Sequence, residues 1–319
     1  MDLSIIIVNW NSVEYLKACI ASVRRETSGI EYEIVVIDSG SFDGCDAMLE
    51  RTYPDVRFVQ SERNIGFGQA NNMAVGFSRG RSLLFLNPDT EIRGAAVASM
   101  LEWLGRLPDA GGVGCRLLNS DGSVQTSCVQ AFPTIANQVL DAEWLRVRWQ
   151  RSGLWGIDAL FATDSAPKEV QTVAGACVMM KREVFDRVGG FSTEYFMYAE
   201  DIDLCYKIAA LGLKVYYLPD ATVVHHGGGS SNEAPSSFSV VLMRESICLF
   251  LKKQRGRAYA GCYRLAMLAS ALLRLAVLRL QLRRRAHDDG FNSSRQKWKA
   301  ILEWSLWRGA TVRRLQPLR

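Results

Sequence analysis

The sequence predicts an α/β fold, a mostly parallel sheet with helices on both faces, followed by a basic helical C-terminal region. Short apolar runs rich in β-branched residues alternate with helix-length segments through the first third of the chain, and that alternation calls for parallel strands joined by covering helices. Charge then divides the chain, with 18 Lys and Arg against 4 Asp and Glu from Arg244 onward and 20 against 29 before it. With 319 residues, 48% of them hydrophobic, the chain can bury one large core or two modest ones.

"LSIIIVNW" is the first buried strand. After it Asn11 and Glu14 make a capping-box-like start for a helix that places Val13, Leu16, Ile20 and Val23 on one face. "YEIVVIDSG" is a second strand that stops at Asp38 and opens into the polar turn "DSGSFDG". "VRFVQSE" gives a short third strand, "GFGQANNMAVGFSRG" a helix closed by Gly80, and "SLLFLNPDTEI" a fourth strand ending at Asp89. "AAVASMLEWLGRLPDAGGVG" reads as a helix, and "GCRLLNSDGSVQTS" as a strand pair around the Asp121-Gly122 hairpin signal. From about residue 129 to about 170 the periodicity is weak and assigns no element. "VQTVAGACVMMKREVFDRVGGF" predicts a strand and a short helix capped at Gly189, and a helix from about Asp201 to Gly212 follows. "LKVYYLPDATVVHHGGGSS" supplies two short strands and a Gly-Ser loop, and the composition shifts at Ser236 to Ser239 toward basic helices. No internal repeat is present.

Several classes fall away on composition and motif. The opening "MDLSIIIVNWN" lacks the basic flank and small-residue cleavage site of a signal peptide. Eight cysteines without a C-x-x-C pair point to a reducing cytoplasm, with the thiols as small core residues. Arg264, Arg274 and Arg279 interrupt the apolar run of the tail, so a membrane span is not expected. "IGFGQANN" has Asn71 where a dinucleotide fingerprint needs its third glycine, which argues against a nicotinamide enzyme. No Walker motif, zinc spacing or nucleophile elbow occurs.

Three constellations carry chemistry. Asp38 and Asp89 both end strands, and in open α/β sheets ligands bind outside the carboxyl ends of the strands. Asp89 after Pro88 fits a turn former; it also fits a carboxylate holding a divalent cation on a diphosphate. His225 and His226 follow a strand, so their side chains point to opposite faces and one of them can reach that rim. In "EYFMYAEDIDLCYKI" the acids Glu194, Glu200, Asp201 and Asp203 sit among Tyr195, Phe196, Met197 and Tyr198. Helix capping explains acids at a helix start, whereas apolar surroundings raise carboxyl pKa values and suit a general base.

In their order, "VNWN", "IDSGSFDG", "RNIGFGQANN", "LNPDT", "GACVMMKR", "GGFSTEYFMYAEDIDLCYK" and "HHGGGSS" resemble the family 2 glycosyltransferases of GT-A fold, within them the rhamnosyltransferase-like branch. The resemblance runs from about residue 3 to 231. It implies inverting transfer of a sugar from a nucleotide-diphosphate donor, dTDP-rhamnose favoured, to a saccharide or polyprenyl-linked saccharide in cell-surface polysaccharide assembly. It further implies Mg²⁺ or Mn²⁺ held by Asp89 and His225. Val8, Asn9, Asp38, Ser41, Asn64 and Asn87 would bind the nucleotide-sugar, Gly175 and Ala176 would line the acceptor side, and Asp201 would be the catalytic base with Glu200 and Asp203 in support. Asn87 stands where many relatives carry the first acid of a D-x-D, which leaves one carboxylate for the metal.

The expected organisation is a glycosyltransferase domain over 1–235, with a nucleotide-sugar half to about 115 and an acceptor half from about 116, and a basic helical tail over 236–319. The tail reads either as a core-packing helix with a solvated basic face or as an interfacial helix drawn to anionic lipid on the inner face of the plasma membrane, with Trp298, Trp304 and Trp307 at headgroup level. Two rival functions remain at this stage. A catalytically idle sugar-nucleotide binder would not need Asp201, and nucleic-acid binding through the tail would ask for a basic groove where the body offers acids; no nucleic-acid partner is expected.

Overall fold

The computed structural model describes residues 1–227, 237–285 and 289–306. Gly228 to Ser231 of the predicted Gly-Ser loop, and Trp307, lie outside them. The chain forms two units, one of Met1–Phe132, Trp149–Phe196 and Glu200–Ser230, the other of Pro133–Arg148, Met197–Ala199 and Ser231–Arg319.

The first unit begins with β1 (Leu3–Asn9), α1 (Val13–Glu26), β2 (Tyr32–Ser39), α2 (Cys45–Thr52), β3 (Arg57–Ser61), α3 (Phe67–Val75) and β4 (Ser82–Leu86). It continues with β5 (Thr90–Arg93), α4 (Ala96–Arg106), β6 (Ala110–Leu118) and β7 (Val129–Gln130). The short helices α5 (Ile135–Val139) and α6 (Glu143–Arg148) belong to the second unit. The chain then adds β8 (Lys168–Val170), β9 (Thr172–Val173), β10 (Cys177–Lys181), α7 (Arg182–Arg187), α8 (Glu200–Ala210) and β11 (Lys214–His225) to the first.

One nine-stranded sheet runs in the order β3-β2-β1-β4-β10-β6-β11-β5, with β8 beside β11. β1 pairs in parallel with β2 and β4, and β2 with β3. β10 enters antiparallel between β4 and β6, and β6 and β11 run parallel to one another. Ile5, Ile6 and Ile7 of β1 are fully buried, as the unbroken apolar run of a strand covered on both faces requires. Because β1, β2 and β4 are parallel, Asn9 and Asp38 stand opposite each other at the carboxyl ends, at the edge from which β4 leads to Asn87.

Several element ends differ from the sequence expectation. The cap of α1 does not come from Asn11, which sits at φ 52°; the N-cap is Ser12, and Asp43 Oδ2 accepts the Ser12 and Val13 N–H groups at 2.9 and 3.0 Å. α3 stops at Val75, before Gly80, because Phe77 N–H and Ser78 Oγ turn back onto the carbonyls of Ala74 and Val75. α4 ends at Arg106, ahead of Pro108, and the "AGGVG" that follows is strand. The Asp121-Gly122 turn forms, with Gly122 N–H on Asn119 O at 2.9 Å, but its second arm is a single bridge, Leu118 to Val124. The two last strands are one, β11, whose pairing with β6 shifts between Leu218 and Thr222, where Pro219 has no N–H to give the ladder.

In the second unit α9 (Ser237–Arg285) breaks at Gly256, whose φ of 85° and ψ of 171° are not helical, and α10 (Asp289–Ser305) packs on it. Phe250, Tyr263, Met267, Ala271, Trp298, Ile301 and Trp304 are buried. Trp298 and Trp304 are therefore core residues and not headgroup anchors: Trp304 Nε1 donates to Glu245 Oε2 at 2.6 Å, and the guanidinium groups of Arg264 and Arg274 each stack 4.4 Å from a Trp ring. Stacking lets these arginines lie against apolar surface. Among the described residues one helix, Ser237–Leu280, is long and apolar enough to cross a membrane by length and composition, in contrast to the reading drawn from its arginines. Leu265, Leu272, Leu273, Val277 and Leu280 are exposed at helical spacing on one side of it.

Replacing Asp43 by Ala removes the acceptor that caps α1 and is expected to cost about 1–2 kcal/mol in urea unfolding, while Asn11→Ala is expected to change the midpoint little.

Candidate active site

At the ends of β1 and β2 the Asp38 carboxylate accepts hydrogen bonds from Ser41 N–H (2.9 Å), Phe42 N–H (2.9 Å), Asn9 Nδ2 (2.9 Å), Gln60 Nε2 (2.8 Å) and Ser41 Oγ. Burial pushes this carboxyl up, but the bonds from Ser41, Gln60, Phe42 and Asn9 outweigh it and hold the group below its usual value. Val8 is buried at the end of β1. Asn64 stands on the loop after β3, where its Oδ1 takes Gly66 N–H at 3.0 Å.

Asp38, Asp43 and Cys45 bring three ligand-type atoms within 4.8 Å of one another. Protein donors already occupy this cluster, since Asp43 accepts from Asn9 Nδ2 and the N–H groups of Ser12, Val13 and Cys45. Burial, then the charges of Asp38 and Asp43, push the Cys45 thiol up. A protonated thiol beside saturated carboxylates is a poor cation site.

A second group lies where β4 leaves the sheet. His225 ends β11 opposite Thr90 of β5, and its Nε2 is 3.4 Å from Asp89 Oδ1 and 3.4 Å from Asn87 Nδ2. Gln125, which the sequence did not single out, grips the same histidine at two points: its Nε2 donates to His225 O at 2.6 Å and its Oε1 faces His225 Nδ1 at 3.0 Å. With the amide so oriented, Gln125 accepts from an Nδ1–H tautomer, which leaves Nε2 on the side of the Asp89 carboxylate. Two oxygen- and nitrogen-donor groups across that gap suit a shared cation, so Asp89 and His225 fit the divalent ion that the resemblance implies. His226 points the other way, to Ser120 Oγ at 2.8 Å and Glu91 Oε1 at 3.1 Å, so of the pair it is His225 that faces Asp89.

The third group is the acid pair at the start of α8. Asp201 Oδ2 accepts Gly175 N–H at 2.9 Å, and its Oδ1 accepts Ile202 N–H at 2.8 Å. A Cβ at Gly175 would stand 3.2 Å from Asp201 Cβ and 3.5 Å from its Oδ2, so glycine is what lets this backbone reach the carboxylate. Burial raises the Asp201 pKa against these bonds. Glu200 is buried, its Oε2 has no hydrogen-bond partner, and burial, then the charge of Asp201, push it up to about 8. Tyr198 and Ala199, just ahead, have φ of 68° and 64°, a left-handed strain that concentrates at working sites.

Asp203 does not join this pair. It is buried among Ser192 Oγ (2.6 Å), Tyr195 OH (3.1 Å) and Lys207 Nζ (3.8 Å), and ties α8 to the loop before it. That loop is fastened to α3 by a reciprocal bond: Asn72 Nδ2 donates to Phe191 O at 2.8 Å and Phe191 N–H to Asn72 Oδ1 at 2.9 Å. Ala176, with Gly175, meets the second group, since Asn87 N–H donates to Ala176 O at 2.9 Å.

The sequence profile described as glycosyl transferase family 2 matches residues 4–189, and that of glycosyl transferase family group 2 matches residues 146–312. The chain belongs to glycosyl transferase family 2. It is 28% identical over 297 residues to an N-acetylglucosaminyl-diphospho-decaprenol L-rhamnosyltransferase of Mycobacterium tuberculosis, covering 88% of this chain and 94% of the relative. It is 25% identical over 240 residues to the rhamnosyltransferase WbbL of Escherichia coli, covering 70% and 82%. Its fold is GT-A, and a mannosyltransferase of Pyrobaculum calidifontis, solved with GDP-Man and Mn²⁺, superposes with a TM-score of 0.56 at 17% identity over 96% of this chain and 86% of that one.

Glu200 yields a pH signature. Its folded pKa of about 8 exceeds the unfolded value near 4.5, so the native state binds the extra proton between them and stability falls as pH rises through that window. Glu200→Gln is expected to flatten the dependence of unfolding free energy on pH from about 4.5 to 8 and to be more stable at pH 8 by on the order of 2–5 kcal/mol.

Proposed function

We propose that this chain transfers a sugar, with inversion at the anomeric carbon, from a nucleotide-diphosphate donor to a hydroxyl of a saccharide acceptor, and that Asp201 is the base. The observation that carries this reading is the Asp201 carboxylate, fixed at the N-terminus of α8 by the Gly175 N–H and made more basic by burial. The acceptor oxygen attacks the anomeric carbon as the bond to the diphosphate breaks, and Asp201 takes the hydroxyl proton. Glu200 supports it, since a second acid at its side favours proton uptake by the pair.

Asn9, Asp38, Ser41 and Val8 form the nucleotide end of the donor site, and Asn64 and Asn87 meet the ribose or phosphates. A divalent ion, Mg²⁺ or Mn²⁺, held by Asp89 and His225 would supply charge neutralisation of the departing diphosphate. Gly175 and Ala176 border the acceptor.

Rhamnose, as dTDP-rhamnose, is favoured because relatives in two bacteria are rhamnosyltransferases. A polyprenyl-diphosphate-linked acceptor is favoured by the name of the mycobacterial relative, and places the enzyme in cell-surface polysaccharide assembly. The exposed leucine side of α9, with Lys252, Lys253, Arg255, Arg257 and Arg279 on the same helix, favours peripheral attachment of the 236–319 region to an anionic membrane from the cytoplasm.

Thermal unfolding with dTDP-, UDP- and GDP-sugars, with and without Mn²⁺, is the first test. The true donor at a hundred times its Kd adds about 2.7 kcal/mol, and no shift with any nucleotide would defeat the transferase reading. Asp201→Asn is expected to keep that shift while turnover drops about 10²–10⁴-fold; intact turnover would remove Asp201 from the mechanism. Gln125→Leu is expected to weaken Mn²⁺ affinity, read by the same unfolding assay, about 10–100-fold.

A further inference from the structure

The helical unit holds a cluster of cations that the transfer reaction leaves unused. Arg146, Arg244, Arg274 and Lys297 surround one carboxylate, Asp141. Arg146 bonds to Asp141 Oδ1 and so engages it, while Arg244 Nη2 remains 3.7 Å from Oδ2. Arg244, its side chain 4% exposed, has neutral partners otherwise, with Nη1 on Gln138 Oε1 at 2.8 Å. Arg274 donates to Val139 O at 3.0 Å and lies over the Trp298 ring, and Lys297 Nζ is 5.8 Å from the centroid of that same ring.

Among the described residues the cluster also keeps unfilled donors. The Nε atoms of both Arg146 and Arg244 are buried without an acceptor. An excess of positive charge with buried, unfilled donors is costly unless an anion completes it, and guanidinium forks match phosphate oxygens. The cluster opens outward, since Lys297 is exposed and the Arg146 side chain is 20% exposed. Beside Arg274 on α9 stand the exposed Leu273 and Val277, an apolar neighbour that a free phosphate would not use.

We propose that Arg146, Arg244, Arg274 and Lys297 form an anion site for the diphosphate of a prenyl-linked acceptor, with the exposed leucines of α9 taking the first part of the prenyl chain. This deepens the acceptor reading above and rests on it. The four cations less Asp141 leave three positive charges, and the charge on the ligand, about two negative units for a diphosphate diester, offsets most of them.

The test is equilibrium binding to the full chain in EDTA, with geranylgeranyl diphosphate and inorganic pyrophosphate as probes. The prenyl diphosphate is expected to bind, on the order of tenfold more tightly than pyrophosphate, and to lose about tenfold or more in Lys297→Glu and in Arg274→Gln. Arg274→Lys, which keeps the charge, is expected to recover part of the loss. Unchanged affinity in both Lys297→Glu and Arg274→Gln would overturn the site, and equal affinity for the two probes would reassign it to free phosphate. Nucleotide-sugar stabilisation, measured on the same variants, is expected to match the wild type. If wild type shows none while prenyl diphosphate binding still depends on Lys297, the transferase reading fails and the anion site stands.

Discussion

The antiparallel pairing of β10 with β4 is the constraint on which the site depends. Register places Cys177 opposite Leu86, and one residue beyond, the Asn87 N–H closes on Ala176 O. From that bond the chemistry extends both ways. On one side Gly175 presents its N–H to Asp201; on the other, Asn87 leads to His225 and Asp89. The groups read as base and metal ligands thus lie on either side of one backbone hydrogen bond in a buried sheet, where side-chain rearrangement is least free. An antiparallel strand in an otherwise parallel run is what brings a late segment of the chain to an early strand's carboxyl end.

Much of this was legible because its signals are local. Asp38 and Asp89 announced themselves as acids closing apolar runs, and Glu200 and Asp201 as acids amid aromatics. Other features depend on partners distant in the chain. Gln125 lies on a polar turn with no periodicity, and its hold on His225 arises only when β6 and β11 align. Asp43 looked like part of a turn, yet it caps a helix thirty-odd residues earlier, displacing the local candidate Asn11. Asp203 shared every visible trait of its neighbours, and one residue pair along α8 turned it toward Ser192 and Tyr195 instead.

The C-terminal helices show the same lesson for aromatic and basic residues. Trp298 and Trp304 among arginines resembled an interfacial pattern, but both rings are buried and carry guanidinium groups on their faces. Stacking reconciles a basic composition with a packed interior, and it leaves the leucines of α9 as the outward apolar surface.

The register shift of β11 between Leu218 and Thr222 sets which of the two adjacent histidines faces Asp89. Strand side chains alternate, so losing a single residue there would move His226 into the place of His225 and turn His225 to the opposite face. His226 would then stand at Asp89, with Gln125 gripping the wrong ring. The number of residues in this bulge therefore decides which imidazole the site receives.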